Sequence, residues 1–275
     1  MNDKRPIGVF DSGVGGLSVW REIAWQLPHE GTIYFADQRH IPYGSRPPEH
    51  IRRFSEAITR FLLDRDCKAI VVACNTASAA ALKHLRETFP RTPFVGMEPA
   101  VKPATQTTQT RVVGVLATPA TFQGALFASV VERFADGVQL INQVCPGLVE
   151  QVETGQLDTP DTEAMLRGFL RPILDANADT VVLACTHYPF VVESIRRIAG
   201  PDVNVIDPSP AIARQAGRAL AERGLSAPAG RIGQHVFYTS GDRDSFRRVR
   251  DRLVNADGVI ESAGWQDDRT AFEQF

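Results

Sequence analysis

Cysteine is scarce in this chain, and no long hydrophobic run is present. Four cysteines occur among 275 residues, at irregular separations and without a Cys-x-x-Cys pair, which disfavours both a zinc site and a disulfide framework. No apolar run approaches the roughly 20 residues that a membrane span needs, and the opening segment MNDKRPIGVF lacks the long apolar region of a signal peptide. The sequence therefore predicts free thiols, no metal site, no membrane partner and, by default, a cytoplasmic location.

An excess of positive charge is also absent. The 30 Lys and Arg residues are balanced by 32 Asp and Glu residues, and the arginines are scattered rather than clustered with aromatic residues. This pattern disfavours nucleic acid as a principal partner. With 43% hydrophobic and 23% charged residues, the composition is that of a globular protein long enough for two moderate domains.

Short apolar runs rich in β-branched residues alternate with amphipathic segments of helical length, which is typical of parallel strands joined by crossover helices. The predicted strands are IGVF, TIYFA, AIVVA, PFVG, RVVGVLA, VQLINQV, TVVLA, VNVI and HVFYT. The segment HIRRFSEAITRFLLDRD and residues 162–176 each carry an apolar stripe at helical spacing. Pro172 is expected to kink or shorten the second of these helices.

Two proline-bearing stretches, residues 97–110 and 206–213, could carry the chain between domains. The sequence therefore predicts an α/β protein of two similar open parallel-sheet domains, with the active site in the cleft between them. Residues 1–97 plus 210–275 would form one domain, and residues 98–209 would form the other. Open α/β sheets bind ligands at the carboxyl ends of their strands, so motifs at strand ends are the candidates for function.

Two of the cysteines follow predicted strands in similar surroundings. VVACNTASAA contains Cys74, and VVLACTHYPF contains Cys185. Cysteine often packs as a small buried hydrophobe, which is the interpretation we favour for Cys67 and Cys145. Because polar residues directly follow Cys74 and Cys185, we favour reacting thiols there over core residues or metal ligands.

A helix N-terminus lowers the pKa of a nearby thiol and so makes it a better base. Residues 77–88 are typical of a strong helix, which would place Cys74 at its start, and a similar helix start is predicted before FVVESIRRIA. His187 lies beside Cys185, and a Cys-His pair could serve acyl transfer or proteolysis. That alternative leaves the second cysteine motif unexplained, whereas two facing thiols suit proton exchange at a carbon from opposite sides.

Racemisation with pyridoxal phosphate would need a lysine in the site to form a Schiff base. The chain's lysines all lie outside the strand-end motifs, at Lys4, Lys68, Lys83 and Lys102. We therefore expect a route without a cofactor.

The segment FDSGVGG follows the first predicted strand with a Gly-x-Gly-Gly spacing. This spacing matches neither the dinucleotide fingerprint nor the P-loop, and we favour glycines that let backbone N–H groups approach a carboxylate. Asp11 could be a helix cap or turn residue. It could equally accept a proton or orient a substrate ammonium group.

Six motifs, FDSGVGGLSV, IPYGSR, ACNTASA, LATPAT, CPGLVEQVETG and LACTHYP, occur in the order found in the glutamate racemases. The resemblance extends over nearly the whole chain. The related aspartate racemases share the two-cysteine plan, but the CTHYP and DSGVGG forms favour the glutamate branch. A broad-specificity racemase and an amino-acid binding protein without chemistry remain the alternatives.

The resemblance implies cofactor-independent interconversion of L-glutamate and D-glutamate, with D-glutamate used in peptidoglycan synthesis. It implies that Cys74 and Cys185 exchange the proton, that Asp11 assists Cys74, and that His187 with Glu153 assists Cys185. The substrate contacts that it implies are Asp11, Ser12, Tyr43, Gly44, Asn75, Thr76, Thr118, Thr121, Thr186 and His187. A homodimer is one open alternative for the oligomeric state.

The chain departs from the family pattern at three positions. Gly147 and Glu150 stand where a larger residue and a proline are more usual, so the backbone leading to Glu153 is expected to differ. His40 stands before IPYG, where arginine is frequent. None of these positions lies in the two cysteine motifs.

Overall fold

The computed structural model describes residues 3–266 and 271–274, and in these the chain forms an α/β fold with two separate sheets. The strands are β1 Ile7–Asp11, β2 Thr32–Ala36, β3 Ala69–Val72, β4 Phe94–Gly96, β5 Val112–Ala117, β6 Gln139–Val144, β7 Thr180–Ala184, β8 Asn204–Ile206, β9 His235–Thr239, β10 Val259–Gln266 and β11 Ala271–Gln274. All nine predicted strands are therefore confirmed as β1 to β9.

The larger sheet has seven strands in the order β11-β10-β9-β2-β1-β3-β4, and the smaller has four in the order β6-β5-β7-β8. Every neighbouring pair is parallel except β10 with β11. The predicted fold class, with two parallel-sheet α/β units, is confirmed. The sequence reasoning missed β10 and β11, because VIESAGWQ mixes charged and small residues rather than forming an apolar run.

Eleven α-helices connect the strands in the described residues: α1 Leu17–Gln26, α2 Pro48–Leu63, α3 Asn75–Thr88, α4 Val101–Thr107, α5 Pro119–Gln123, α6 Ala125–Phe134, α7 Leu148–Glu153, α8 Pro160–Asp175, α9 Val192–Ala199, α10 Ser209–Ala221 and α11 Arg243–Val254. The apolar stripe of α2 is buried as predicted. Helix α8 continues through Pro172 without being shortened. None of the helices in residues 3–266 is both long and apolar enough to cross a bilayer.

The strands of the smaller sheet all lie between residues 112 and 206, and those of the larger sheet lie on either side of this range. The predicted domain boundaries at 97 and 209 stay predictions, and parts of the first domain, residues 1, 2, 267–270 and 275, lie outside the described residues. One apolar core contains side chains from both sheets, including Val9 and Val71 from the larger and Val181 and Leu183 from the smaller. Because the sheets share this core, side chains at their strand ends can meet in one site.

Candidate active site

The two motif cysteines come from different sheets and line the same small pocket. Cys74 follows β3 of the larger sheet, and Cys185 follows β7 of the smaller one. The pocket has a volume of about 20 Å³, and its walls are Ser12, Pro42, Tyr43, Gly44, Cys74, Asn75, Thr76, Thr118, Val149, Cys185, Thr186 and His187. The structure thus brings together both thiols and most of the substrate contacts that the resemblance implies.

A much larger cavity of about 770 Å³ shares part of this wall, including Gly44, Thr76, Thr118 and Val149. The small pocket has room for about one water molecule. Asp11, Thr121 and Glu153 do not line the small pocket.

Cys74 lies at the start of α3, as predicted. Its sulfur accepts a hydrogen bond from the Ala77 N–H at 3.4 Å and lies 4.0 Å from the Ser12 Oγ. Burial nevertheless raises the pKa of the Cys74 thiol well above its usual value, and the Asp11 carboxylate adds to that rise. The hydrogen bond from the Ala77 N–H lowers the pKa of the Cys74 thiol. The prediction of a lowered pKa for Cys74 is therefore wrong for the free protein, because burial beside a carboxylate outweighs one helix N–H group.

Asp11 ends β1 and is completely buried behind Cys74. Its Oδ2 accepts hydrogen bonds from the N–H groups of Gly16 at 2.8 Å and Gly13 at 3.3 Å. Burial raises the pKa of this carboxyl, whereas the charge of His187 and the contact with Cys74 lower it. The Asp11 carboxyl can therefore hold a proton more readily than an exposed aspartate.

Cys185 is paired with a buried histidine and glutamate. Its sulfur lies 3.7 Å from the His187 Nδ1, and the His187 Nε2 lies 2.7 Å from the Glu153 Oε1. Burial alone would lower the pKa of His187, but its hydrogen bonds to Cys185 and Glu153 outweigh burial and hold that pKa well above its usual value. The raised pKa keeps the His187 ring protonated, and its Nδ1 lies next to the Cys185 sulfur.

Glu153 ends α7 and receives two further hydrogen bonds. The Val14 N–H donates to its Oε1 at 2.7 Å, and the Gln38 Nε2 donates to its Oε2 at 3.0 Å. Val14 belongs to the loop after β1, so a backbone donor next to the larger sheet contacts a carboxylate that lies between β6 and β7 of the smaller sheet.

The glycines of the FDSGVGG motif are explained by these contacts. A Cβ atom at Gly13 would clash with the Glu153 carboxylate, and one at Gly15 would clash with the His187 ring. At Gly16 a Cβ atom would lie 2.7 Å from the Cβ of Asp11. The prediction that these glycines let backbone N–H groups approach a carboxylate is confirmed, and the carboxylates are those of Asp11 and Glu153.

No α-helix begins at Cys185, contrary to the sequence prediction. A 3-10 turn covers Tyr188–Val191, and α9 begins only at Val192. Cys185 therefore lacks the α-helix N–H donor that Cys74 receives from Ala77.

Some polar groups of the site have no hydrogen-bond partner among the described residues. Others form hydrogen bonds with one another. Both amide atoms of Asn75 are buried without a hydrogen-bond partner among the described residues. The Thr76 Oγ1 lies 3.0 Å from the Thr118 Oγ1, which in turn lies 3.0 Å from the Thr121 Oγ1. Thr121 thus contacts Thr118, which lines the small pocket, without lining that pocket itself. The backbone carbonyl of Thr186 accepts a hydrogen bond from the Ser18 Oγ at 2.9 Å.

Sequence reasoning missed Asp37, which is completely buried. Its carboxylate accepts a hydrogen bond from the Tyr43 hydroxyl at 2.6 Å and lies 2.9 Å from the His40 Nδ1. His40 also stacks on Phe54 with ring centres 3.9 Å apart, so this departure from the family pattern is accommodated by packing. Asp37 directly follows β2, and the strand-end argument applied to Asp11 could have found it.

The departure at Gly147 also has a local explanation. Gly147 has a φ of +81°, a left-handed conformation that favours glycine, and α7 begins directly after it. The backbone therefore still brings Glu153 to His187.

The other two cysteines are buried, and all four are free thiols, as predicted. Burial raises the pKa of Cys67 and of Cys145 to about 12 each. In the part of the chain that the structure describes, no group of three or more His, Cys, Asp or Glu side chains could hold a metal ion.

Comparison with known proteins gives relatives over nearly the whole chain. A glutamate racemase from Roseiflexus sp. (strain RS-1) is 52% identical over 250 residues, which are 90% of this chain and 92% of that protein. The crystal structure of a glutamate racemase isoform from Bacillus anthracis matches with a TM-score of 0.88 and 31% identity, over 98% of this chain and 100% of that one.

A second solved structure is glutamate racemase from Escherichia coli in complex with L-glutamate and the activator UDP-MurNAc-Ala. It matches with a TM-score of 0.83 and 32% identity, over 98% of this chain and 99% of that one. The family model described as Asp/Glu/hydantoin racemase matches residues 7–216. The chain therefore belongs to the Asp/Glu/hydantoin racemase family.

Proposed function

We propose that this protein is a glutamate racemase, which interconverts L-glutamate and D-glutamate by passing the α-proton between Cys74 and Cys185. The observation that carries the proposal is that the two thiols come from different sheets and line one pocket. A racemase needs one base on each face of the α-carbon, since one group removes the proton and the other delivers a new one.

In this mechanism one cysteine is a thiolate and the other a thiol. The thiolate takes the α-proton, the carbon gains the electron pair of the broken C–H bond, and the opposite thiol gives its proton to the other face. The two cysteines then have exchanged protonation states, which is the arrangement that the reverse reaction needs. No step requires an oxidant, a reductant or a cofactor.

Each cysteine has a neighbouring group that can compensate for the change of charge on its sulfur during the reaction. Asp11 lies behind Cys74, and its raised pKa suits it to take up the thiol proton. His187, held by Glu153, supports the thiolate at Cys185. We assign these three residues as assistants of the two cysteines.

We further propose that the substrate's polar groups bind to the partnerless amide of Asn75, to the hydroxyls of Ser12, Thr76, Thr118 and Thr186, and to the wall formed by Tyr43 and Gly44. Thr121 supports Thr118 from behind. Unpaired polar atoms in a buried pocket are costly unless a ligand satisfies them, and this favours Asn75 as a direct contact.

The relatives' activity supports a role in supplying D-glutamate for peptidoglycan. A cytoplasmic location is part of the proposal, and the four free thiols favour a reducing compartment.

The test is to mix purified protein with D-glutamate in deuterium oxide and to follow circular dichroism together with α-proton exchange. We expect both signals to change without added pyridoxal phosphate. Absence of both would refute the proposal, and binding without exchange would favour an amino-acid binding protein. Comparing kcat/KM for glutamate and aspartate decides between a glutamate racemase and a broad-specificity one.

The roles of the cysteines are tested separately. Cys74→Ser and Cys185→Ser should each abolish most racemisation while the folded far-UV spectrum remains, because a hydroxyl is a far weaker acid than a thiol. Near-normal turnover of either variant would contradict the two-base assignment. Cys67→Ser is the matched control, since Cys67 is a buried thiol outside the pocket.

A further inference from the structure

Gln38 contacts the carboxylate that holds His187. It is the first residue of the 3-10 turn Gln38–His40, which follows β2. Its Nε2 donates to the Glu153 Oε2 at 3.0 Å, and the Oε1 of the same carboxylate lies 2.7 Å from the His187 Nε2. Gln38 lines neither the small pocket nor the large cavity. Any effect of Gln38 on the reaction would therefore pass through Glu153.

The larger sheet places Gln38 beside the end of β9. Strands β2 and β9 are parallel neighbours in which Ala36 pairs with Thr239, so Gln38 follows two residues after that pair. Thr239 is completely buried, and its hydroxyl donates to the Gln38 Oε1 at 2.8 Å. A Cβ atom at Gly241 would lie 2.9 Å from the Cβ of Gln38. The chain after β9 thus packs closely against this side chain.

The contacts at Thr239 fix the orientation of the Gln38 amide. The Gly241 N–H donates to the Thr239 Oγ1 at 3.0 Å, and the hydroxyl proton of Thr239 is then used for the Gln38 Oε1. An amide whose oxygen accepts on one side presents its NH₂ group on the other. The opposite orientation would set the amide oxygen against the Glu153 carboxylate, which has no proton to donate. The amide is therefore held as a donor to Glu153.

This donor gives the Glu153 carboxylate a hydrogen bond on each oxygen. Its Oε1 accepts from the Val14 N–H at 2.7 Å and faces the His187 ring, while its Oε2 accepts from Gln38. Rotation of the carboxylate would break the bond to Gln38, and hydrogen bonds to a charged group are about twice as strong as neutral ones. Gln38 therefore keeps the Glu153 Oε1 directed towards His187.

We propose that Gln38 is a positioning residue for the reaction, which orients Glu153 so that Glu153 holds the His187 ring beside the second thiol. This inference rests on the proposed two-thiol function. Gln38 neither gives nor takes a proton, and no covalent bond forms or breaks at its amide. Through Thr239, the end of β9 contributes to the same arrangement.

The first test replaces the amide by an apolar side chain of similar length. Gln38→Met leaves the Glu153 Oε2 without this donor. We expect kcat to fall by about 10-fold, the lower end of the effect of one hydrogen bond to a charged group, because Gln38 is only partly buried. KM for glutamate should stay within about twofold, since the pocket wall is unchanged. A kcat within twofold of the unsubstituted protein, or a loss that comes from KM alone, would overturn the proposal.

Gln26→Met is the matched control. The Gln26 Nε2 donates to the Glu22 Oε2 at 2.9 Å, so this variant also removes an amide donor from a glutamate carboxylate. The pair lies outside the small pocket and the large cavity. Its kcat should stay within about twofold of the unsubstituted protein. A loss as large as that of Gln38→Met would indicate a general effect on the structure and would overturn the proposal.

Gln38→Glu separates the loss of a donor from a change of shape. The new carboxyl group would lie against the Glu153 carboxylate, and two adjacent carboxylates share a proton because the pKa of one of them is raised. Glu153 has two other contacts to donors, so the proton belongs to the new group, which then donates as the amide did. We expect kcat within about threefold of the unsubstituted protein at pH 6. By pH 9 the proton is lost, the carboxylates repel, and kcat should be about 10-fold lower.

Each comparison is made with the unsubstituted protein at the same pH. Gln38→Met has no such proton to lose, so its relative kcat should agree within about twofold at pH 6 and pH 9. The other charged or titratable side chains that adjoin Gln38 or act with Glu153 are common to all variants: Asp37, Arg39, Asp11, Tyr34 and His187. A relative kcat of Gln38→Glu that stays constant or rises with pH would overturn the proposal. If the unsubstituted protein neither racemises nor exchanges glutamate, the proposed function fails instead.

Discussion

Replacing Glu153 by glutamine would test the His187 pair with the least change of shape. The His187 Nε2 and the Val14 N–H both meet the Glu153 Oε1, and the Gln38 Nε2 meets the Oε2. The amide oxygen of the new side chain can keep the first two contacts. Its NH₂ group then faces the Gln38 NH₂ group, and Gln38 cannot simply rotate because its Oε1 accepts from Thr239 at 2.8 Å.

The expected cost follows from these contacts. The loss of the charged hydrogen bond to His187 is worth about 1.5–3 kcal/mol, and the opposed amide donors cost about 1 kcal/mol. We therefore expect Glu153→Gln to lower the free energy of unfolding by about 3 kcal/mol near pH 6. We also expect kcat/KM to fall by about 30- to 100-fold, because a neutral His187 no longer supports the Cys185 thiolate.

The loss of stability should depend on pH with a defined sign. His187 has a folded pKa raised above its unfolded value, so its stabilisation is complete below about pH 6.5 and is lost as the pH rises through the folded pKa. Urea unfolding at pH 6 and pH 9 should therefore give a larger difference between the unsubstituted protein and Glu153→Gln at pH 6. Glu150→Gln, on the exposed face of the same helix, is the control. A difference that is equal at both pH values, together with unchanged kcat/KM, would refute this account of the pair.

Two further predictions concern the loop after β1 and the pocket wall. Gly13→Ala should lower both the free energy of unfolding and racemisation, because the new methyl group pushes Glu153 away. Its control, Gly168→Ala, lies in an open position on α8 and should raise the free energy of unfolding by about 1 kcal/mol. Urea unfolding measures both variants, and an unchanged stability of Gly13→Ala would contradict the close approach of Gly13 to Glu153. Asn75→Ala should raise KM for glutamate and leave the Tm of the free protein nearly unchanged, because its amide has no partner to lose. A lower Tm with an unchanged KM would show a structural role instead.

Many of the strands that the sequence predicted correctly are buried on both faces and are therefore continuously apolar, whereas β6, which was also predicted, is only partly buried and carries Gln and Asn side chains. Strand β3 and strand β7 are of the first kind. Strand β10 is an exception, because it lies near the edge of the sheet beside β11 and carries charged and exposed side chains such as Glu261 and Val259. Periodicity cannot separate such a strand from a loop.

The candidate site was predictable where it depends on strand ends and less so where it depends on three-dimensional surroundings. The strand-end argument selected Asp11, Cys74 and Cys185, and it could have selected Asp37. The sign of the Cys74 pKa shift was not predictable, because burial and the distance to Asp11 are properties of the folded chain. The start of α9 was predicted too early, since the proline in CTHYP allows a tight 3-10 turn before the helix.

The loop that follows β1 has a consequence for how the two mirror-image substrates are treated. Asp11, at its start, is the proposed assistant of Cys74, while the Val14 N–H donates to Glu153, which is a proposed assistant of Cys185. A displacement of this one loop would disturb both half-reactions together. The equal free energies of the enantiomers already prevent any mutation from making a one-way enzyme; what this loop adds is that a single substitution in it reaches the surroundings of both cysteines.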